Sequence, residues 1–136
     1  MIKAVFFDVG NTLASRKPNG SLEVFQPSTP KLLTVMGSVL GLRLGVISNL
    51  PDELTSADLR RLLAEAGLLT YFDPGGIVTN HDAGADKPKP RIYQFAADQM
   101  NIAISDCLYI GEDQAEVAGA QAAGMCAILK PFPPRD

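Results

Sequence analysis

Polar side chains that could act on a phosphate follow several short apolar runs of the 136-residue chain. In chain order they are Asp8, Ser48 with Asn49, Lys87 downstream of Thr79, and the acidic pair Glu112 and Asp113. Paired carboxylates attract a hard divalent cation such as Mg²⁺, and a lysine with a hydroxyl can hold an anion against that cation. A carboxylate beside that anion can attack phosphorus. The set therefore predicts a phosphate site with a nucleophile of its own.

The apolar runs predict the elements that position these side chains. Because the runs do not alternate with polar residues, we expect strands buried on both faces of a parallel sheet, at residues 2–7, 44–47, 77–79, 107–110 and 125–129. Apolar spacings of three and four predict helices at residues 30–40, before Gly67, at 90–100 and at 115–123. Either Pro51 or Ser56 suits the start of the second helix, and Gly124 suits the end of the last one.

The alternation of strands and helices predicts a doubly wound, Rossmann-like α/β fold with a parallel five-stranded sheet. In such sheets ligands bind beyond the carboxyl ends of the strands, where the polar residues fall. Residues 13–26 interrupt the alternation and contain Asn19-Gly20, a strong hairpin-turn signal, so we expect a small β-hairpin flap there. We expect residues 1–130 to form one domain and residues 131–136, which are rich in proline, to form an extended tail.

The composition excludes several classes of protein. A net charge of −3 lacks the basic footprint of nucleic-acid binding, so we expect no nucleic-acid partner. No apolar run approaches the roughly 20 residues that span a bilayer, so we expect no membrane contact and a cytoplasmic location. One histidine excludes a His-rich metal site, and two cysteines make no disulfide framework. Cys107 and Cys126 fall in predicted strands and are expected to be buried thiols.

Four segments resemble the motifs of the haloacid dehalogenase (HAD) superfamily, in the family's order and near predicted strand ends. They are DVGNTL at residues 8–13, GVISN at 45–49, DKPKPRIY at 86–93 and YIGEDQAE at 109–116. Each motif alone is a weak signal, but together they cover almost the whole chain. The resemblance implies a HAD-like fold and an aspartate-nucleophile phosphatase, with Mg²⁺ as cofactor and a phosphorylated small molecule or macromolecule as substrate.

The resemblance also implies roles for individual residues. The catalytic pair would be Asp8, which attacks phosphorus, and Lys87. The phosphate would be held by Thr12, Ser48, Asn49 and Lys87. Mg²⁺ would be held by Asp8, the carbonyl of Gly10 and an acid of the fourth motif, with Glu112 favoured over Asp113.

Two motifs depart from the family pattern. Phosphatases of the family carry a second aspartate two positions after the nucleophile, which protonates the leaving group, and this chain has Gly10 there. General acid–base help contributes roughly 10²–10⁴ in rate, so we expect slow turnover or restriction to activated phosphates. In the fourth motif, Glu112 and Glu116 replace the usual aspartates. Glu116 also suits the first turn of a helix, where an acid stabilises the helix dipole.

The intervals between the motifs leave little room for a cap domain. Asp8 and Ser48 are 40 positions apart, Ser48 and Lys87 are 39 apart, and predicted elements fill both intervals. We therefore expect no cap and an open site that a protein partner or a second copy covers. Two other functions stay open at this point. One is a HAD-fold domain that binds phosphate or a protein without turnover; the other is a phosphoryl-receiver domain, disfavoured because no acid ends the third predicted strand at Thr79.

Overall fold

The computed structural model describes residues 1–132, so the last four residues of the predicted tail lie outside it. The strands are β1 (Ala4–Phe7), β2 (Ala14–Arg16), β3 (Leu22–Val24), β4 (Arg43–Ser48), β5 (Ile77–Thr79), β6 (Cys107–Gly111) and β7 (Cys126–Leu129). The helices are α1 (Ser28–Thr34), α2 (Ser56–Glu65), α3 (Asn80–Ala83), α4 (Pro90–Gln99) and α5 (Gln114–Ala123). A π-helix (Val35–Val39) extends α1, and short 3₁₀ turns cover Leu69–Tyr71, Pro74–Gly76 and Ile104–Asp106.

Five strands form one parallel sheet in the order β5-β4-β1-β6-β7, as the sequence predicts. The central strand β1 is buried along its length, and its last residue, Phe7, lies opposite Val46 of β4 and Ile110 of β6. The chain leaves β1 at Asp8, so this carboxylate lies at the middle of the sheet edge that is formed by the carboxyl ends of the strands. The neighbouring strands β4 and β6 end at the same edge, which brings the polar segments that follow them together.

Helices cover both faces of this sheet, which is the doubly wound arrangement. Side chains of β1 alternate between the two resulting cores: Phe6 packs with Ile92 and Val117 of α4 and α5. On the other face, Phe7 packs with residues of α1 and α2, including Leu33 and Leu63. Each strand buries both of its faces, and for this reason its sequence is a continuous apolar run without alternating polar residues.

The predicted hairpin is present between β1 and α1. β2 and β3 pair antiparallel, with Ala14 opposite Val24 and Arg16 opposite Leu22. The turn between them contains Gly20, whose φ of 89° lies in the left-handed region that favours glycine. Between Asp8 and Ser48 the chain holds this hairpin and α1 with its π-helical extension, and no inserted cap domain.

The first two helices differ in detail from the sequence prediction. The segment predicted as a helix over residues 30–40 is α-helical only to Thr34, after which i→i+5 bonding begins, as in the bond from the Leu40 amide to the Val35 carbonyl. Because a π-helix advances less per residue around the axis, Val39 and Leu40 leave the core face and are exposed. Helix α2 begins at Ser56, with Thr55 and Asp58 forming a capping box, so the alternative start at Pro51 is wrong.

The two cysteines differ in burial. Cys107 in β6 is buried as expected, but the expectation for Cys126 is wrong, because this residue is exposed. β7 is one of the two edge strands of the sheet, and its residues Ile128 and Leu129 are also exposed. No helix within residues 1–132 combines the length and the apolar character needed to cross a membrane.

Candidate active site

Asp8 lies where β1 ends and is held in the sheet by its backbone. Its amide donates to the carbonyl of Ile110 at 2.9 Å, which extends the ladder between β1 and β6 by one residue. The chain then winds into a tight turn in which the amides of Thr12 and Leu13 both donate to the carbonyl of Val9. This turn brings the Thr12 hydroxyl back toward the end of β1, where it donates to Oδ2 of Asp8 at 3.4 Å.

Lys87 is almost completely buried, with 1% of its side chain exposed. Its Nζ lies 2.9 Å from Oδ1 of Asp8 and 2.9 Å from Oε1 of Glu116. It also donates to the hydroxyl of Tyr109 at 3.0 Å. The three acceptors account for the three N–H groups of the ammonium. The structure therefore brings together Asp8 and Lys87, which are 79 positions apart in the sequence.

The loop that carries Lys87 is fixed from two sides. The Asn49 amide group makes two bonds to the Lys87 backbone: Nδ2 donates to the carbonyl at 3.1 Å, and Oδ1 accepts from the amide at 2.9 Å. On the other side, Gly119 of α5 packs against Pro88. The observed contact of Asn49 is thus with the lysine loop, and its predicted contact with phosphate stays a prediction.

Ser48 is the last residue of β4 and is 8% exposed. It lies two residues beyond Val46, which pairs with Phe7, so it reaches the same sheet edge as Asp8. Thr79 ends β5 beside it in register and caps α3 through its side chain. Of the two hydroxyls that are expected to bind phosphate, that of Thr12 contacts Asp8 directly, and that of Ser48 lies at the end of the neighbouring strand β4.

The acidic residues after β6 crowd the same edge. Asp113 caps α5, where its side chain accepts from the amide of Glu116 at 3.0 Å. Burial raises the pKa of Glu112, and the negative charges of Asp8 and Asp113 raise it further. Because like charges repel when they are close and partly buried, this edge of the sheet favours a cation.

The donor set suits Mg²⁺ in particular. Among residues 1–132, no three His, Cys, Asp or Glu side chains form a ready-made cage for a metal ion. Mg²⁺ does not need such a cage, since it is usually held by one or two carboxylates together with waters and substrate phosphate oxygens. The carboxylates that could serve here are those of Asp8 and of Glu112 or Asp113, and the backbone carbonyl of the exposed Gly10 is close to Asp8 in the sequence.

Two residues at this site have contacts that the sequence did not predict. Glu116, which replaces an aspartate of the fourth motif and also suits the first turn of α5, makes an ion pair with Lys87. Tyr109 lies inside the apolar β6 and is predicted as core, yet its hydroxyl donates to Oε1 of Glu116 at 3.2 Å. Burial, followed by the charges of Asp8 and Glu116, raises the pKa of Tyr109, so its hydroxyl keeps its proton. The one local signal of this contact is that Tyr109 brings a hydroxyl into an otherwise apolar strand, two residues before Gly111.

The chain belongs to the haloacid dehalogenase-like hydrolase family, whose model matches residues 16–124. The fold is also that of solved proteins: an uncharacterized protein from Listeria monocytogenes serotype 4b superposes with a TM-score of 0.80 at 21% identity, over 94% of this chain and 78% of that chain. The site and the fold thus define a HAD-like α/β hydrolase core.

Two of the relatives that the sequence matches are phosphatases. Phosphatase MT3486 of Mycobacterium tuberculosis (strain CDC 1551 / Oshkosh) is 37% identical over 89 residues, which are 65% of this chain and 39% of the relative. The Glyceraldehyde 3-phosphate phosphatase of Methanothermobacter thermautotrophicus (strain ATCC 29096 and equivalents) is 34% identical over 104 residues, which are 76% of this chain and 43% of the relative. The chain therefore spans about two fifths of the length of these relatives.

Proposed function

We propose that this chain is a phosphohydrolase that uses Asp8 as its nucleophile and Mg²⁺ as its cofactor. The observation that carries the proposal is the contact of 2.9 Å between the carboxylate of Asp8 and the buried ammonium of Lys87. Burying the charge of a lysine is costly unless the charge is paired, so stability alone gives no reason to place a buried lysine beside the carboxylate of Asp8. A lysine beside a nucleophile is useful where the nucleophile must meet a negatively charged phosphate.

The reaction is a displacement at phosphorus in two steps. An oxygen of Asp8 forms a bond to phosphorus while the bond from phosphorus to the leaving oxygen breaks, and the leaving group takes the electron pair. Water then attacks the aspartyl-phosphate, releases inorganic phosphate and restores the carboxylate. Lys87 and the hydroxyls of Thr12 and Ser48 orient the phosphoryl oxygens and offset their negative charge.

Metal and backbone complete this assignment. Mg²⁺ would be held by Asp8, the carbonyl of Gly10 and Glu112 or Asp113, and when bound it supplies positive charge to the phosphoryl oxygens. Glu116 is assigned instead to Lys87, with which it forms an ion pair through Oε1. Asn49 supports the site by holding the Lys87 loop.

Gly10 restricts the range of substrates. A side chain at this position would project into open space, since a β-carbon built there has no neighbour within 4 Å. Because glycine has no side chain, the position that would hold a general acid has no group that can donate a proton to an alkoxide leaving group. We propose acyl phosphates and other activated phosphates as the preferred class. With no inserted cap, a large phosphorylated substrate or a covering partner fits the open edge.

Beryllofluoride, which mimics a phosphoryl group on aspartate, tests the nucleophile separately from turnover. Wild-type protein with Mg²⁺ should bind beryllofluoride, seen as shifts of amide NMR signals around Asp8, and should hydrolyse acetyl phosphate. Asp8→Asn, which keeps the size of the side chain, should do neither, and a chelator should abolish both in the wild type. Binding without hydrolysis of any phosphate would instead favour a phosphate-binding domain that has lost catalysis, a reading that Gly10 supports. Equal activity of Asp8→Asn and wild type would refute the nucleophile.

A further inference from the structure

The ammonium of Lys87 has an uncharged third neighbour, the hydroxyl of Tyr109. The distance between Nζ and this hydroxyl is 3.0 Å, and the hydroxyl in turn donates to Oε1 of Glu116 at 3.2 Å. The same side chain also lies beneath the lysine, with Nζ 5.3 Å from the ring centroid. Tyr109 therefore contacts both members of the ion pair between Lys87 and Glu116.

Gly111 makes room for this arrangement. Residues 109 and 111 lie on the same face of β6, because side chains alternate along a strand. The tyrosine ring folds over the glycine so closely that a β-carbon at position 111 would lie 2.8 Å from the Tyr109 hydroxyl oxygen. A larger residue would push the ring away from the sheet edge. The pair Tyr109 and Gly111 thus lets a core residue reach the site.

A second tyrosine holds the ring from behind. Tyr93 of α4 meets Tyr109 edge to face, with centroids 5.6 Å apart and ring planes at 78°. Its own hydroxyl donates to the backbone carbonyl of Glu116 at 2.6 Å. Both rings are buried, so the Tyr109 hydroxyl has a fixed position relative to β6 and to α5.

We propose that Tyr109 is a positioning residue for Lys87. Without Tyr109, rotation about the bonds of the long lysine side chain would let the ammonium turn away from Asp8. Tyr109 and Glu116 together occupy two of its three N–H groups, so the third is directed at Asp8, where the phosphoryl group arrives. The inference rests on the proposed function, since it assigns Tyr109 to the reaction of that same site, but the geometry of the lysine can be measured without turnover.

The test compares Tyr109→Phe with Tyr93→Phe. Both substitutions remove one buried hydroxyl and keep the ring, and the Tyr93 hydroxyl donates to the backbone of α5 and not to Lys87, which makes Tyr93→Phe the matched control. Each protein is measured for thermal stability, for kcat and KM with acetyl phosphate, and for the Lys87 ammonium signal in ¹H–¹⁵N NMR spectra. That signal is identified by its loss in Lys87→Met and is visible because burial slows its exchange with water.

The positioning role predicts a specific pattern. Tyr109→Phe should lower kcat about tenfold or more, as expected for a lost hydrogen bond to a charged group, with KM changed less than twofold. Its ammonium signal should shift or broaden, while Tyr93→Phe, at a similar loss of stability, should keep the wild-type signal and lose less than threefold in kcat. An unchanged ammonium signal in Tyr109→Phe, or equal kinetic losses in both variants, would overturn the proposal. If the wild type neither binds beryllofluoride nor turns over, the proposed function falls, and the ammonium signal alone still decides whether Tyr109 holds Lys87.

Discussion

Gly119 of α5 and Pro88 of the lysine loop lie in direct backbone contact. A β-carbon at position 119 would come within 2.6 Å of the β-carbon of Pro88, closer than such atoms approach one another. The helix that carries Glu116 is therefore pressed against the loop that carries Lys87, and these two residues form the ion pair next to Asp8. The absence of a β-carbon at position 119 lets α5, which carries Glu116, and the loop that carries Lys87 approach this closely.

Gly119→Ala should push α5 away from the loop that carries Lys87. Alanine favours a helix over glycine by about 1 kcal/mol, but overpacking against a backbone costs about 1–3 kcal/mol, so we expect a net loss of stability together with lower turnover. Denaturant unfolding and acetyl phosphate hydrolysis measure the two effects. Ala118→Gly, at an exposed position of the same helix, gives the size of the propensity effect alone. A variant Gly119→Ala that is both more stable and fully active would contradict the contact.

Gly10→Asp should extend the substrate range. The space beside Gly10 is open and its φ lies outside the left-handed region, so an aspartate fits without strain. A carboxyl group there can protonate an alkoxide leaving group, and we expect hydrolysis of alkyl phosphates to rise by about 10²–10⁴. Gly10→Asn has nearly the same size and no such proton to transfer. Similar alkyl phosphate rates in the two variants would argue against proton donation as the missing step.

Lys87→Met should destabilise the fold and abolish turnover. The methionine keeps the length of the side chain but leaves the carboxylates of Asp8 and Glu116 facing each other without a cation. Breaking a buried ion pair costs about 3–5 kcal/mol, and we expect about 1–3 kcal/mol because the carboxylates keep 14% and 20% of their side-chain surface exposed. Denaturant unfolding measures the loss. Lys89→Met, in the same loop but exposed, should change the free energy of unfolding by less than about 0.5 kcal/mol.

Asp73→Asn should remove part of the dependence of stability on pH. Nε of Arg43 donates to Oδ2 of Asp73 at 2.9 Å, and this hydrogen bond lowers the pKa of Asp73 below its ordinary value of 3.8. A carboxyl whose pKa is lower in the folded state contributes stability above the unfolded pKa and loses it as the pH falls. Wild type should therefore exceed Asp73→Asn by up to about 1 kcal/mol near pH 7, and the difference should shrink below about pH 4. Asparagine keeps an oxygen that can accept from the Gly75 amide, so the comparison isolates the charge of the carboxylate, and a difference that stays constant across this pH range would contradict this origin.

The local pattern of the sequence was sufficient for the strands of the parallel sheet, the hairpin and the longer helices, but not for the short helix α3. Each strand of the parallel sheet buries two faces and so reads as a short apolar run, and each polar residue that ends a run reaches the sheet edge by chain direction alone. Asp8 and Ser48 could be assigned to one edge in this way. The π-helical extension of α1 was not predicted, because the spacing of its apolar residues fits an α-helix equally well.

What only the tertiary structure decided is which side chains meet. The order β5-β4-β1-β6-β7 leaves β7 at one edge, where Cys126 is exposed, although its segment is as apolar as a buried strand. The same order places β6 beside β1, so that Tyr109 and Glu116 reach the lysine that approaches Asp8. Locally, Tyr109 has the pattern of a core residue and Glu116 that of a helix start. Their shared contact depends on strands far apart in the chain, and a local pattern holds no information about distances across a sheet.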